Sequence, residues 1–162
     1  MRYFLCTFDC FSVGIPEDAV AAIIIYTGET SSVVKREEGG DVFFSLPHFF
    51  ELKDRTVRHG IVLKPLNQLM AKNRNAAGGA DLNSGDAPEQ EEGPRNILLV
   101  SAVEREADIA QAEIFSLPEI LVAPNRIPFF TGIWFTNPVM IALIDPVSLI
   151  ARILKDTGEA AA

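Results

Sequence analysis

The chain has 162 residues, about the size of one ordinary domain, and its 48% apolar content and mean hydropathy of +0.19 supply ample material for a core. Twenty-two acids against fourteen bases give a net charge of −8 and a pI near 4.7, the wrong sign for gripping nucleic acid through its phosphates. The longest apolar run, Ala19 to Tyr26, is eight residues, far short of the ~18 of a membrane-spanning helix. The N-terminus reaches Asp9 before a signal-peptide core is long enough, so neither membrane insertion nor secretion is expected. Cys6 and Cys10 are the only cysteines, too few for a disulfide framework and in keeping with a reducing, cytoplasmic location.

In chain order, short β-type runs separated by turn residues predict strands at Tyr3–Phe8, Phe11–Ile15, Ala22–Tyr26, Ser32–Arg36 and Asp41–Ser45. Glu37-Glu38-Gly39-Gly40 joins the last two as a hairpin turn, where glycine reaches positive φ without a Cβ clash. Leu46–Leu52 then reads as a helical turn opened by Pro47, and Val57–Lys64 as another strand. From Leu66 to Arg95 there is no aromatic and no β-branched residue. A turn of helix on Leu66, Leu69 and Met70 can open that segment, and the remainder is expected to be a disordered loop insertion, 66–95. The loop holds three bases and five acids, so the rest of the chain stays acidic. Strands follow at Ile97–Val103, Arg105–Ile109, Phe129–Phe135 and Val139–Ile144, with a turn at Asn137-Pro138. A last helix is capped by Asp145, begins at Pro146, and lines one face with Val147, Ile150, Ile153 and Leu154.

Chemistry-bearing residues are sparse. Cys6 alternates inward with Phe4 and Phe8 and reads as a buried thiol, with Cys10 in the turn after Asp9. The two histidines, His48 and His59, stand at no recognised zinc spacing. No Gly-x-Ser-x-Gly elbow or phosphate-binding glycine loop occurs. Glu104, Glu106 and Asp108 alternate along one strand and read as a solvated face rather than a metal cluster with Glu113. Lys53, Arg55, Arg58 and His59 form the one basic cluster, read as a solvated loop. Alternation along Phe129–Phe135 places Phe130 and Trp134 on one face with Gly132 between them. That arrangement is either core packing or a shallow aromatic notch for a partner helix.

The order of these runs resembles the CheW-like domain of chemotaxis coupling proteins. The resemblance is carried by Ser12–Val20 with its Gly14-Ile15-Pro16 core, by Asp41–Leu46 followed by Pro47–Leu52, and by Leu98-Leu99-Val100-Ser101-Ala102-Val103. Ile109, Glu113-Ile114, Leu117-Pro118, Phe130–Ile133 and Ile144-Asp145-Pro146 then follow in the family's order. It spans the chain apart from the loop, as a single CheW-like domain. It implies an all-β fold of two intertwined five-stranded SH3-like barrels with a C-terminal helix. The implied function is that of a non-enzymatic adaptor, without cofactor or metal, joining methyl-accepting chemoreceptors to a CheA-type histidine kinase. The family's partner-contacting arginine falls nearest Arg36, which places a binding surface at the hairpin of Arg36, Glu37 and Gly40. Three departures mark a divergent member: Glu37 and Glu38 stand between arginine and glycine, and Ser45 and Ser101 replace aspartates. The reading of a different class is a thiol redox protein or small enzyme built on Cys6 and Cys10.

Overall fold

Short β-type runs, several of them continuously apolar, give eleven strands among the described residues. The computed structural model describes residues 1–7, 11–27, 34–36, 40–45, 57–71, 95–117, 129–136 and 138–157. The strands are β1 (Arg2–Thr7), β2 (Ser12–Pro16), β3 (Val20–Ile25), β4 (Val34–Arg36), β5 (Val42–Ser45), β6 (His59–Leu63), β7 (Asn96–Val100), β8 (Ala102–Asp108), β9 (Ile114–Phe115), β10 (Phe130–Thr136) and β11 (Val139–Ile144), followed by helix α1 (Pro146–Thr157). Each of the ten predicted strands is present to within a few residues. The predicted helical turn at 46–52, most of the hairpin turn at 37–39 and the loop beyond residue 71 lie outside the described residues.

The strands form two sheets, one in the order β8-β1-β2-β11-β10-β9 and the other in the order β3-β6-β7-β5-β4. The chain starts the first sheet with β1 and β2, turns through Glu17–Ala19, and builds the whole second sheet. It returns at Ser101, whose N–H donates to the Thr7 carbonyl at 3.1 Å, to complete the first sheet with β8 to β11. One sheet is thus nested in the sequence of the other. Nearly all pairings are antiparallel; β11 runs parallel to β2, and β5 parallel to β7. The first sheet has six strands rather than the expected five because β9 joins its edge, and two residues carry no readable period. The predicted strand Ile97–Val103 is divided at Ser101, where the chain changes sheets while its apolar pattern continues.

Burial explains why both sheets are apolar on both sides. The first sheet packs Tyr3, Leu5, Ile109, Ile141 and Leu143 into a cluster of its own, and the second does the same with Tyr26, Phe43, Val62, Ile97 and Leu99. A third cluster unites them: Cys6, Val13 and Ile15 from the first sheet meet Phe44, Ile61 and Leu98 from the second, together with Leu149, Ile150 and Ile153 of α1. Strands with both faces covered read as continuous apolar runs, as Asn96-Ile97-Leu98-Leu99-Val100 does.

Helix α1 starts where the sequence places it. Asp145 accepts from the Val147 N–H at 3.2 Å and from the Ser148 hydroxyl at 2.5 Å, a cap of the kind that contributes about 1 kcal/mol. Leu149 joins the buried face, with Val147 and Leu154 only partly covered, because the helix sits against a core drawn from both sheets and buries more than one stripe. Residues 66–71 and 95 of the segment predicted as a loop are among the described residues. Residues 66–71 are helical, held by Leu69, which is buried in the shared core, and by Leu66 packed against it. Arg95 is fixed by Asp41, as described below.

Candidate interaction surface

Arg36 is the last residue of β4, an edge strand of the second sheet, and pairs with Val42 across the hairpin. Glu37 lies outside the described residues. Gly40 has φ 90°, the left-handed conformation that the sequence reading assigns to glycine here. Where the turn enters β5, the hairpin is clamped by a contact that the sequence did not reveal. Arg95 donates to Asp41 Oδ2 from Nη2 at 2.7 Å and from Nε at 3.2 Å, and its backbone N–H reaches Oδ1 at 3.1 Å. The Val42 N–H bonds the Arg95 carbonyl at 2.8 Å. Hydrogen bonding from Arg95 holds the Asp41 carboxyl below its ordinary range, so this clamp is intact at neutral pH and weakens as acid protonates Asp41. Arg95 is about half exposed and Asp41 partly covered, so solvent screens the pair and its role is to orient the hairpin rather than to supply much stability.

Phe130 and Trp134 do not share one face of β10. Between Phe130 and Gly132 the β10–β11 register shifts by one residue, so that Phe130 pairs with Ile144 and Gly132 with Leu143. A one-residue irregularity breaks the alternation on which the notch rested. Phe130 therefore packs toward the shared core, and Trp134 toward the first sheet's own cluster. The space over Gly132 is filled by β9: a Cβ there would lie 2.5 Å from Ile114 Cγ2 and 2.9 Å from the Phe115 carbonyl oxygen. Gly132 is buried, while Phe130 and Trp134 are half-buried and pack against different clusters.

An apolar surface does exist nearby, on the other side of β10. Phe115 (58% exposed), Phe135 (55%) and Met140 (57%) stand together. Phe135 is the cross-strand partner of Met140, and Phe115 of Ile133, while the Phe115 and Phe135 rings meet edge to face at 5.5 Å between centroids. Ladder register assigns the face. Ile133 pairs with Ala142, and Ala142 with Val13. Val13 is buried in the shared core, and directly paired residues share a face of a sheet. The patch is the outward continuation of the surface that the first sheet buries against the second. The hairpin turn at Asn137-Pro138 already implied the Phe135–Met140 pairing, since it sets Thr136 opposite Val139; the contribution of β9 carried no such signal.

The remaining candidates resolve toward structure. Cys6 is fully buried, and burial, aided by the negative charge of Glu104, pushes its thiol pKa up to about 12. Cys10 and His48 lie outside the described residues. His59 Nδ1 is 3.4 Å from the Ser101 carbonyl oxygen. Glu104, Glu106 and Asp108 are exposed, as their alternation implied, although Val103 pairs with Cys6 and Arg105 with Leu5, leaving Glu104 as an extra residue in β8. Among the described residues no three His, Cys, Asp or Glu side chains converge as a metal site, and no described helix is long and apolar enough to cross a membrane. In a Cys10→Ser variant, Cys6 is expected to stay unmodified by a thiol reagent at about pH 8 until the protein is unfolded, since thiolate rather than thiol reacts. Stoichiometric labelling of the native protein would show a reactive centre.

No family model matches the chain, and no curated protein matches it. A solved structure does: the scaffolding protein TtCheW from Thermoanaerobacter tengcongensis, at a TM-score of 0.57 and 16% sequence identity, over 89% of this chain and 83% of that one. The chain therefore has a CheW-like fold, all-β in two sheets with a C-terminal helix.

Proposed function

We propose that this protein is a non-enzymatic signalling adaptor that couples chemoreceptors to a CheA-type histidine kinase. The observation that carries the reading is the match of nearly the whole chain to a scaffolding protein. The binding surfaces proposed are the β4–β5 hairpin carrying Arg36 and the exposed patch of Phe115, Phe135 and Met140. The first suits a polar partner, because an arginine fork fits carboxylates or backbone carbonyls in a way lysine cannot copy. The second offers rings that a partner can dehydrate. A buried, high-pKa Cys6 supports this reading over a thiol redox protein.

The test is reconstitution. Purified protein is mixed with a CheA-type kinase and receptor signalling fragments from the same cell, and complex formation is followed by sedimentation. The native chain is expected to bring kinase and receptor into one complex. Arg36→Glu is expected to keep its fold and lose about 2 kcal/mol of binding, near 30-fold in affinity. A native chain that assembles with neither component overturns the adaptor reading, and an Arg36→Glu variant with full affinity removes the hairpin from the interface.

A further inference from the structure

The three-residue strand β4, which ends at Arg36, is an edge of the second sheet and pairs among the described residues with β5 alone. Its grip there is slight. The Val42 N–H points away from β4, to the Arg95 carbonyl at 2.8 Å. By the alternation of antiparallel ladders the next residue, Phe43, is the one that exchanges backbone bonds with β4, at Lys35, and the Arg36–Val42 rung beside the turn is a pair without them. Helix α1 lies next to β4 as well. The turn itself re-enters the sheet through Gly40, at φ 90°, and Asp41.

Asp41 ties the turn down, and the tie leads away from β4. Its carboxylate takes three bonds from Arg95, two of them from the guanidinium. Arg95 immediately precedes β7, an interior strand flanked by β5 and β6. The pair thus adds a side-chain rung to the parallel β5–β7 ladder, whose first backbone rung joins Val42 to Asn96. We propose that Asp41 and Arg95 are positioning residues for partner binding: they hold the hairpin turn in the conformation in which Arg36 meets its partner, without touching that partner themselves. The partner is that of the adaptor reading, on which this inference rests. A turn released from Arg95 is ordered only on binding, and fixing the backbone of one residue costs about tenfold in affinity. Because solvent screens the ion pair, its loss costs the fold little. Binding and stability therefore separate.

Asp41→Ala, Arg95→Ala and the double variant test this in the full chain, first by amide hydrogen exchange of the free protein and then by titration with the kinase and receptor fragments. The Val42 and Phe43 amides are expected to exchange about fivefold faster or more in each variant, while those of Leu98 to Val100 keep their native rates. The melting temperature is expected to stay within about 4 °C. Affinity is expected to fall about tenfold in either single variant and no further in the double, since all three lose the same interaction. On an Arg36→Glu background, where the hairpin contact is already gone, Asp41→Ala is expected to add nothing. The exchange measurement needs neither kinase nor receptor, so a native chain that binds no partner fails the adaptor reading while this arm still decides the positioning. Unchanged exchange overturns the proposal, as does undiminished affinity in the clamp variants beside a weakened Arg36→Glu. A full further loss on top of Arg36→Glu also overturns it, and makes Arg95 a contact in its own right.

Discussion

Phe44→Ala is expected to lower the free energy of unfolding by about 3–5 kcal/mol, the range for truncating a fully buried aromatic side chain. Phe44 has no exposed surface and lies in the cluster shared by both sheets and α1. Removing its ring leaves a cavity bordered by elements that cannot collapse independently. The informative part is the choice of probe. Trp134 packs in the cluster belonging to the first sheet, whereas Phe44 belongs to β5 of the second. If the shared core makes the molecule one cooperative unit, urea unfolding followed by Trp134 fluorescence and by far-ultraviolet circular dichroism shifts together in the variant. A Trp134 transition that stays at its native midpoint while the remainder moves would show two independently folding sheets.

Phe135→Thr is expected to leave stability within ~1 kcal/mol and to weaken partner binding by about 2–4 kcal/mol. Threonine keeps the β-branched character that suits a strand, so the change removes the exposed ring with little disturbance of the backbone. The patch lies outside the buried core, and Phe135 lends its ring to an edge contact with Phe115. Calorimetric titration with the kinase and with the receptor fragment, run separately, assigns the patch to one partner or the other. Unchanged affinity for both would exclude it from the interface.

How much of this was legible in the sequence varies with the kind of feature. The β11 strand, Val139–Ile144, and the Asp145 cap with Pro146 at the head of α1 stand where local chemistry puts them, because strand alternation and capping are decided within a few residues. Faces were less secure. A single register shift at Phe130/Gly132 sent two residues expected on one face into different clusters, and no local pattern announces such a shift. Ladder partners from distant segments were also hidden. β9 covers Gly132, and Arg95 grips Asp41 across 54 positions of sequence. The candidate surface shares this limit: Arg36 could be named from its place in a hairpin, while the exposure of Phe115 depends on where β9 docks.

The parallel pairing of β2 with β11 joins Ser12 to Ile141, and it governs how the chain matures during synthesis. The second sheet draws on residues 20–100 and can assemble as soon as these have left the ribosome. β1 and β2, although made before the second sheet, must wait for β8 to β11 before their own sheet is complete. Non-local pairing of this kind slows folding, and in that interval the apolar sides of β1 and β2 are open to wrong partners. Until β8 and β11 are made, β1 and β2 are the part of the first sheet open to aggregation.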